Sequence, residues 1–366
     1  MKLGSWRRSV RARHRTTHEA LGESVKHVRT TVTRFGVDHY DAVGLGLVAA
    51  FAGWTVLSAA VRGGSPIPQL VLLVTATAAY AIGRVQGRDH PVRVAAIIVL
   101  VILTMVVASG PAAFAGGPLD PPLGYGNANG ALYALGVGAA AIIARLSRRQ
   151  WIRRFGGVVA VLLLIVTLLT TSKAATALAA GILLVAALAP ILRRGVLLVA
   201  PALVFAAVTF TVVVGLTSGS VGPLGAEGVL TDRRADLWRE ALDITAREPV
   251  VGVGPGRFAY TSPTALSDPD ARWAHSAYLQ TAAELGIPGG LILVALVFFA
   301  LAALHRSRHD LRLVIICAAA VCAFTLHAAI DYIMHFPALV ITAALLAGTA
   351  SGPSAPRRSS EFVPSP

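Results

Sequence analysis

The sequence predicts an all-α fold: a polytopic integral membrane helix bundle of about ten transmembrane helices, with one large extracytoplasmic loop that contains an amphipathic helix. Three observations carry this. The 366 residues are 55% hydrophobic and 14% charged, with a mean hydropathy of +0.69. The apolar residues come in runs near the roughly 20 that cross a bilayer. The basic residues concentrate between alternate runs, as the positive-inside rule requires.

The first 40 residues are basic and polar, and no apolar run begins before residue 42. They lack the apolar core of a signal peptide and are expected to form a cytoplasmic tail. Successive apolar runs then place spans at 41–61, 66–83, 94–110, 129–144, 156–171, 174–190 and 196–215, and after the loop at 287–304, 313–330 and 335–350. This divides the chain into a tail (1–40), seven helices (41–215), the loop (216–286), three helices (287–350) and a C-terminal segment (351–366) expected to be a disordered cytoplasmic tail. With the N-terminus inside, 24 of the 32 Lys and Arg fall on the cytoplasmic side and 8 on the other. The net charge of +14 is thereby explained as topology, with attraction to anionic lipid as a second use and without a nucleic-acid partner. Cys317 and Cys322 share one predicted span and read as small core residues rather than a disulfide or metal pair.

The stretch from Phe155 to Leu192 would reach about 57 Å as one helix, too long for a single crossing. Two helices joined by a turn at Thr171, Ser172 and Lys173 resolve this, and put Lys173 on the outer side. There it either meets a substrate or snorkels to mark the interface. GYGNANG, before the fourth span, places Asn127 and Asn129 on the same side. So does Asp331, beside Tyr332 at the outer end of the ninth span and near His327 and His335; an ionisable group at membrane depth is a functional candidate.

The loop holds the remaining chemistry. Thr231 or Asp232, followed by RRADLWREALDITARE and Pro249, reads as a capped amphipathic helix with an apolar stripe of Leu237, Trp238, Ala241, Leu242 and Thr245. That stripe lies either on the membrane surface or against the bundle. Arg233 and Arg234 stand in its first turn, where a cation opposes the helix dipole but guanidinium forks and free N–H groups can seat a phosphate. The alternative is a solvated pair with Asp232 and Asp236. GVGPGRF, residues 252–258, lacks the Lys-Ser/Thr ending of a P-loop and is read as a tight turn that holds Arg257 and Phe258. His275, Ser276 and Tyr278 open the run into the eighth span. Read alone, His275 is a base, a phosphate ligand or an interfacial residue, and no zinc-ligand spacing surrounds it.

In this order the motifs resemble the O-antigen ligase and O-antigen polymerase superfamily. The features are GN-x-N before a span, a TSKAA turn, Arg234-x-x-x-Trp238, Pro249-x-x-G-x-G-x-G-x-Phe258 and HSAYL-x-x-x-x-E-x-G from His275 to Gly286. The resemblance implies a metal-independent, inverting glycosyltransferase without cofactor. It would move a glycan from an undecaprenyl-diphosphate carrier to an acceptor hydroxyl, on a glycan or glycolipid, outside the cytoplasmic membrane. It implies Arg234 and the basic residue of the TSKAA turn as diphosphate ligands, and His275 as the base. Arg233, Arg257, Asn127, Asn129, Trp238, Tyr278 and Asp331 complete the expected substrate-binding set. Two departures stand out: Lys173 replaces the family's usual arginine, losing a bidentate clamp, and Ser276 follows the histidine where asparagine is common. The readings kept beside it are a polymerase extending the lipid-linked glycan, a transporter or flippase of lipid-linked or anionic solutes, and a non-catalytic envelope scaffold. No inverted repeat of the kind many transporters show is visible.

Overall fold

The computed structural model of the protein describes residues 39–114, 120–217, 232–268 and 271–352. Residues 1–38 and 353–366 of the expected tails, and the cap at Thr231 or the side chain of Asp232, lie outside these residues. By its contacts the chain divides into a leading unit, Met1–Gly46, and a second, Leu47–Pro366, and every side-chain contact described below lies within the second.

The described chain is helical, and its helices follow the apolar runs. They are α1 (His39–Arg62), α2 (Ile67–Asp89), α3 (Pro91–Ser109), α4 (Gly126–Leu146), α5 (Gln150–Leu169), α6 (Lys173–Leu188), α7 (Val199–Thr217), α8 (Asp232–Arg247), α9 (Pro263–Ser267), α10 (Ala277–Arg306), α11 (Leu311–Ile330) and α12 (Pro337–Ala350). Eight are long and apolar enough to cross a bilayer, and α6 and α12 are shorter apolar helices. The chain is a multi-pass helical membrane protein, and each of the ten expected spans corresponds to one of these ten helices.

Burial separates the bundle into a centre and a rim. α4 and α11 are buried along most of their length, whereas the other long helices turn most of theirs outward. The outward faces carry Ile97, Leu100, Leu162, Leu184 and Phe205, residues suited to lipid. The α4 sequence GALYALGVGAAAII suits a central position, because small residues let neighbours approach. Ile102 of α3 and Leu163 of α5 press on Gly136, and Ala320 of α11 faces Gly138.

The tightest contact joins α2 to α12. A Cβ added at Gly348 would stand 2.1 Å from the Tyr80 carbonyl oxygen, and one at Gly83 would stand 2.4 Å from that of Leu345. Nothing lies within 4 Å of the corresponding point at Gly157 on α5. Gly348→Ala is therefore expected to lower the detergent unfolding midpoint, at an overpacking cost of roughly 1–3 kcal/mol. Gly157→Ala should leave that midpoint unchanged, and equal midpoints for the two variants would contradict the close approach.

The eighth span differs from expectation at its start. Rather than beginning at 287, α10 starts ten residues earlier, capped by Ser276, whose Oγ accepts from Leu279 N at 3.4 Å. It breaks at Gly286, which has φ +72°, and continues as the span proper. The break frees the carbonyls of Ala283 and Glu284, which accept from Val253 N at 3.0 Å and Gly254 N at 2.9 Å. Ile287 N donates to Pro249 O at 2.8 Å, and a Cβ at Gly286 would stand 2.1 Å from Val250 O. The loop 249–254 is thus locked to the kink, and the last part of the expected loop is helix.

Candidate functional site

The amphipathic helix α8 turns its stripe against the bundle. Leu237, Trp238, Ala241 and Ile244 are almost fully buried, and the helix packs on α7 and α10. This settles the alternative left open between membrane surface and bundle. Docking on that face aims Arg234 at the end of α11. Its Nη1 donates to Ile330 O at 3.3 Å, and its Nη2 lies 3.2 Å from Asp331 Oδ2. Arg233, one residue earlier, points to the surface and pairs with Asp268.

Asp331 follows the last residue of α11 and is completely buried. A carboxylate so placed needs donors, and it has them from the start of α4, from α8 and from its own neighbour Tyr332. Tyr125 Oη lies 3.1 and 3.0 Å from its two oxygens, Asn127 Nδ2 donates at 2.7 Å, and Tyr332 N donates at 2.7 Å. Arg234 adds the cation. Burial pushes the Asp331 carboxyl up, but the neighbouring His275 imidazole and the Arg234 guanidinium outweigh it and hold the group well below the usual carboxylate range. Burial, reinforced by Asp331, pushes the Tyr332 phenol up to about 12 and the Tyr125 phenol upward as well, so the Tyr125 hydroxyl keeps the proton it donates.

His275 sits at φ +49°, a left-handed conformation uncommon for a residue with a side chain. Its carbonyl accepts from Trp238 Nε1 at 3.1 Å, so the buried tryptophan of α8 holds the histidine's backbone. Its Nδ1 is 3.4 Å from Asp331 Oδ1. That is ion-pair range rather than an aligned hydrogen bond, and Nδ1 has no hydrogen-bond partner among the described residues. Tyr332 meets the imidazole edge to face, with ring centroids 4.9 Å apart.

The expected set thus divides. Arg234, His275, Asn127 and Asp331 come together, with Trp238 behind them. Asn129 instead shapes the preceding turn, accepting from Leu123 N at 3.0 Å and donating to Asp120 O at 3.0 Å. Tyr278 is a core residue whose hydroxyl donates to Thr325 O at 3.3 Å. Arg257 donates to the carbonyl of Arg62, the last residue of α1, at 2.6 Å. Lys173 is the first residue of α6, exposed, with no ion-pair partner among the described residues. Its turn abuts the start of α4, where Gly130 faces Ala175, Thr170 and Ser172, and so lies beside the segment bearing Asn127.

Two residues of HSAYLQTAAELG had no assigned role at the sequence level. Glu284, buried, accepts from Gly256 N at 2.9 Å, Phe258 N at 3.4 Å, Gln280 Nε2 at 3.1 Å and Gln69 Nε2 at 3.3 Å. Gln280 Oε1 accepts from Ala274 N at 3.2 Å, next to His275. This pair ties GVGPGRF to the backbone before the histidine, and the available signal was an acidic residue at membrane depth. Glu284→Ala is expected to leave the two loop N–H groups unpaired. It should speed proteolysis within 252–258, while Glu284→Gln, which can still accept, stays closer to wild type. Identical digestion of both variants and wild type would oppose this role. Among the described residues, no group of three or more His, Cys, Asp or Glu side chains is arranged to hold a metal ion.

Residues 158–294 match the sequence model of the O-antigen ligase family. The matched segment includes Lys173, Arg233, Arg234, Trp238, Arg257, His275 and Tyr278, and the chain therefore resembles the O-antigen ligase-like superfamily by sequence as well as by motif order. No curated protein sequence matches the chain.

Proposed function

Starting from that match, we propose that this chain is a lipid-linked glycan transferase of O-antigen ligase type. It passes a glycan from an undecaprenyl-diphosphate carrier to an acceptor hydroxyl at the outer face of the cytoplasmic membrane. The observation that carries the reading is the convergence of Arg234 and His275 on the buried carboxylate of Asp331 at one end of the bundle.

The negative charge of Asp331, 3.4 Å from Nδ1 of His275, favours the tautomer with its proton on Nδ1, which leaves Nε2 free to accept a proton. His275 takes the proton of the acceptor hydroxyl as its oxygen attacks the anomeric carbon. The glycosidic bond forms on the face opposite the carrier, the bond from that carbon to the diphosphate oxygen breaks, and the electron pair leaves with the diphosphate. Arg234 has five N–H donors, only part of which Asp331 and Ile330 engage, and the rest stabilise the departing charge. Lys173, on the same side, adds a cation along the diphosphate, and Arg233 reaches it by exchanging its surface partner Asp268 for a phosphate oxygen. The apolar rim accommodates the polyprenyl chain.

The orientation has independent support at the opposite end of the bundle. There, Arg84 donates to Ser351 O at 3.3 Å, Arg145 to Ala187 O at 3.0 Å, and Arg194 to His305 O at 2.6 Å. The helix ends richest in arginine thus gather away from His275, as expected for a cytoplasmic side with both termini.

The test compares envelope glycans from wild-type, deletion and His275→Ala cells by gel and mass spectrometry. Full-length undecaprenyl-linked glycan, unattached in both mutants, supports ligation. Single repeat units instead would make the chain a polymerase. Wild-type glycans from His275→Ala would remove the catalytic assignment and favour transport.

A further inference from the structure

Beside the polar cluster stands a group of aromatic rings that neither the sequence motifs nor the proposed chemistry uses. Tyr125 and Tyr332 stack with centroids 4.7 Å apart and planes 24° from parallel. Trp273 continues the stack at 5.9 Å from Tyr332, and Phe336 lies 6.0 Å from Tyr125 and 5.8 Å from Tyr332. His335 closes the far side, 4.1 Å from Trp273. These rings come from three distant segments. Tyr125, Trp273, Tyr332 and Phe336 are half-buried and His335 is exposed, so the group keeps free surface. It adjoins the reacting groups directly: Tyr332 touches the His275 imidazole, and the Tyr125 hydroxyl binds Asp331.

A membrane-interface belt sets aromatic rings singly against lipid. Here they stack on one another and are rimmed by an amide (Asn127), a guanidinium (Arg234) and an imidazole (His275), the mix of flat apolar area and a few polar groups that marks a small-molecule site. The faces of aromatic rings are electron-rich, and the C–H bonds on one face of a pyranose are weakly positive, so a sugar ring fits such a surface while its hydroxyls reach the polar rim. We propose that the shelf of Tyr125, Trp273, Tyr332 and Phe336 is a saccharide-ring subsite that seats a pyranose beside His275. The sugar belongs either to the donor glycan or to the acceptor. That it reacts there rests on the transferase reading; that it binds there does not.

The test uses the full-length protein in lipid nanodiscs and two probes. One is the glycan released by mild acid from the cell's undecaprenyl-diphosphate pool, and the other is the envelope glycolipid fraction of a deletion strain. Trp273→Leu is expected to weaken binding of one probe roughly tenfold, whereas Trp273→Phe stays within about threefold. The probe affected identifies the source of the sugar. In transfer assays the same variant should raise KM for that partner and leave kcat near wild type. Should Trp273→Leu fail to fold, Phe336→Ala is read in the same way. Wild-type affinity of the folded variant for both probes overturns the subsite, whatever His275→Ala does to transfer. Trp273-dependent binding without transfer in any variant keeps the subsite and discards the transferase reading.

Discussion

His275→Ala is expected to reduce glycan transfer by about 10²- to 10⁴-fold, the usual contribution of a positioned proton acceptor. The protein should stay in the membrane at wild-type level. The imidazole makes no aligned hydrogen bond that the fold needs, and the backbone carbonyl that Trp238 holds survives the substitution. Replacing the left-handed His275 by alanine retains a Cβ, so backbone strain is similar. The measurement is product per unit of membrane-inserted protein, with binding of the released glycan as a control. Lost transfer with retained binding fits a base. Loss of both would show the histidine to be a ligand, and loss of neither would remove it from the site.

The second large effect belongs to Arg234. Sequence reasoning alone expects Arg234→Ala to abolish transfer without altering the amount of protein. The structure adds a cost in stability, because the guanidinium is the cation beside a carboxylate with no solvent exposure. Breaking a fully buried pair costs about 3–5 kcal/mol. Less is expected here, since the Arg234 side chain is 19% exposed and Tyr125, Asn127 and Tyr332 still donate to Asp331. The variant should therefore lose transfer and unfold at a lower temperature, and Arg234→Ala combined with Asp331→Asn should recover part of the stability but none of the transfer. Arg234→Lys keeps the charge and loses the fork, and should fall between. Unchanged product at equal expression would contradict the assigned role. An unchanged midpoint would contradict the pairing with Asp331.

The helix order was legible because a bilayer imposes a length on every span and a charge bias on every turn, and both are local properties of the sequence. The start of α10 was not, since the decisive event is one glycine at φ +72° whose conformation answers to a distant carbonyl. Within the site, Arg234, His275, Asn127 and Asp331 were each visible as polar residues at the outer ends of apolar runs. Their common centre was not visible. Tyr125 and Asp331 are 206 residues apart, and no spacing rule connects them. The direction of α8 also stayed open, because an apolar stripe suits lipid and protein alike; burial of Trp238 decides it. Arg257 shows a further feature that spacing does not reveal. It is a cation in a glycine-rich loop beside the histidine motif, and one of its guanidinium N–H groups donates to the carbonyl of Arg62, the last residue of α1, 195 positions away.

The clustering at Asp331 also bears on modularity. The matched segment, 158–294, carries Arg234 and His275 but ends before the carboxylate that both approach, and begins after Tyr125 and Asn127. Transplanted alone into another bundle, it would bring Arg234 and His275, the proposed cation and base, without the carboxylate they both approach. A working chimera must therefore exchange the junctions before α4 and after α11 along with it, and a library that shuffles only the matched stretch should yield folded, inert proteins.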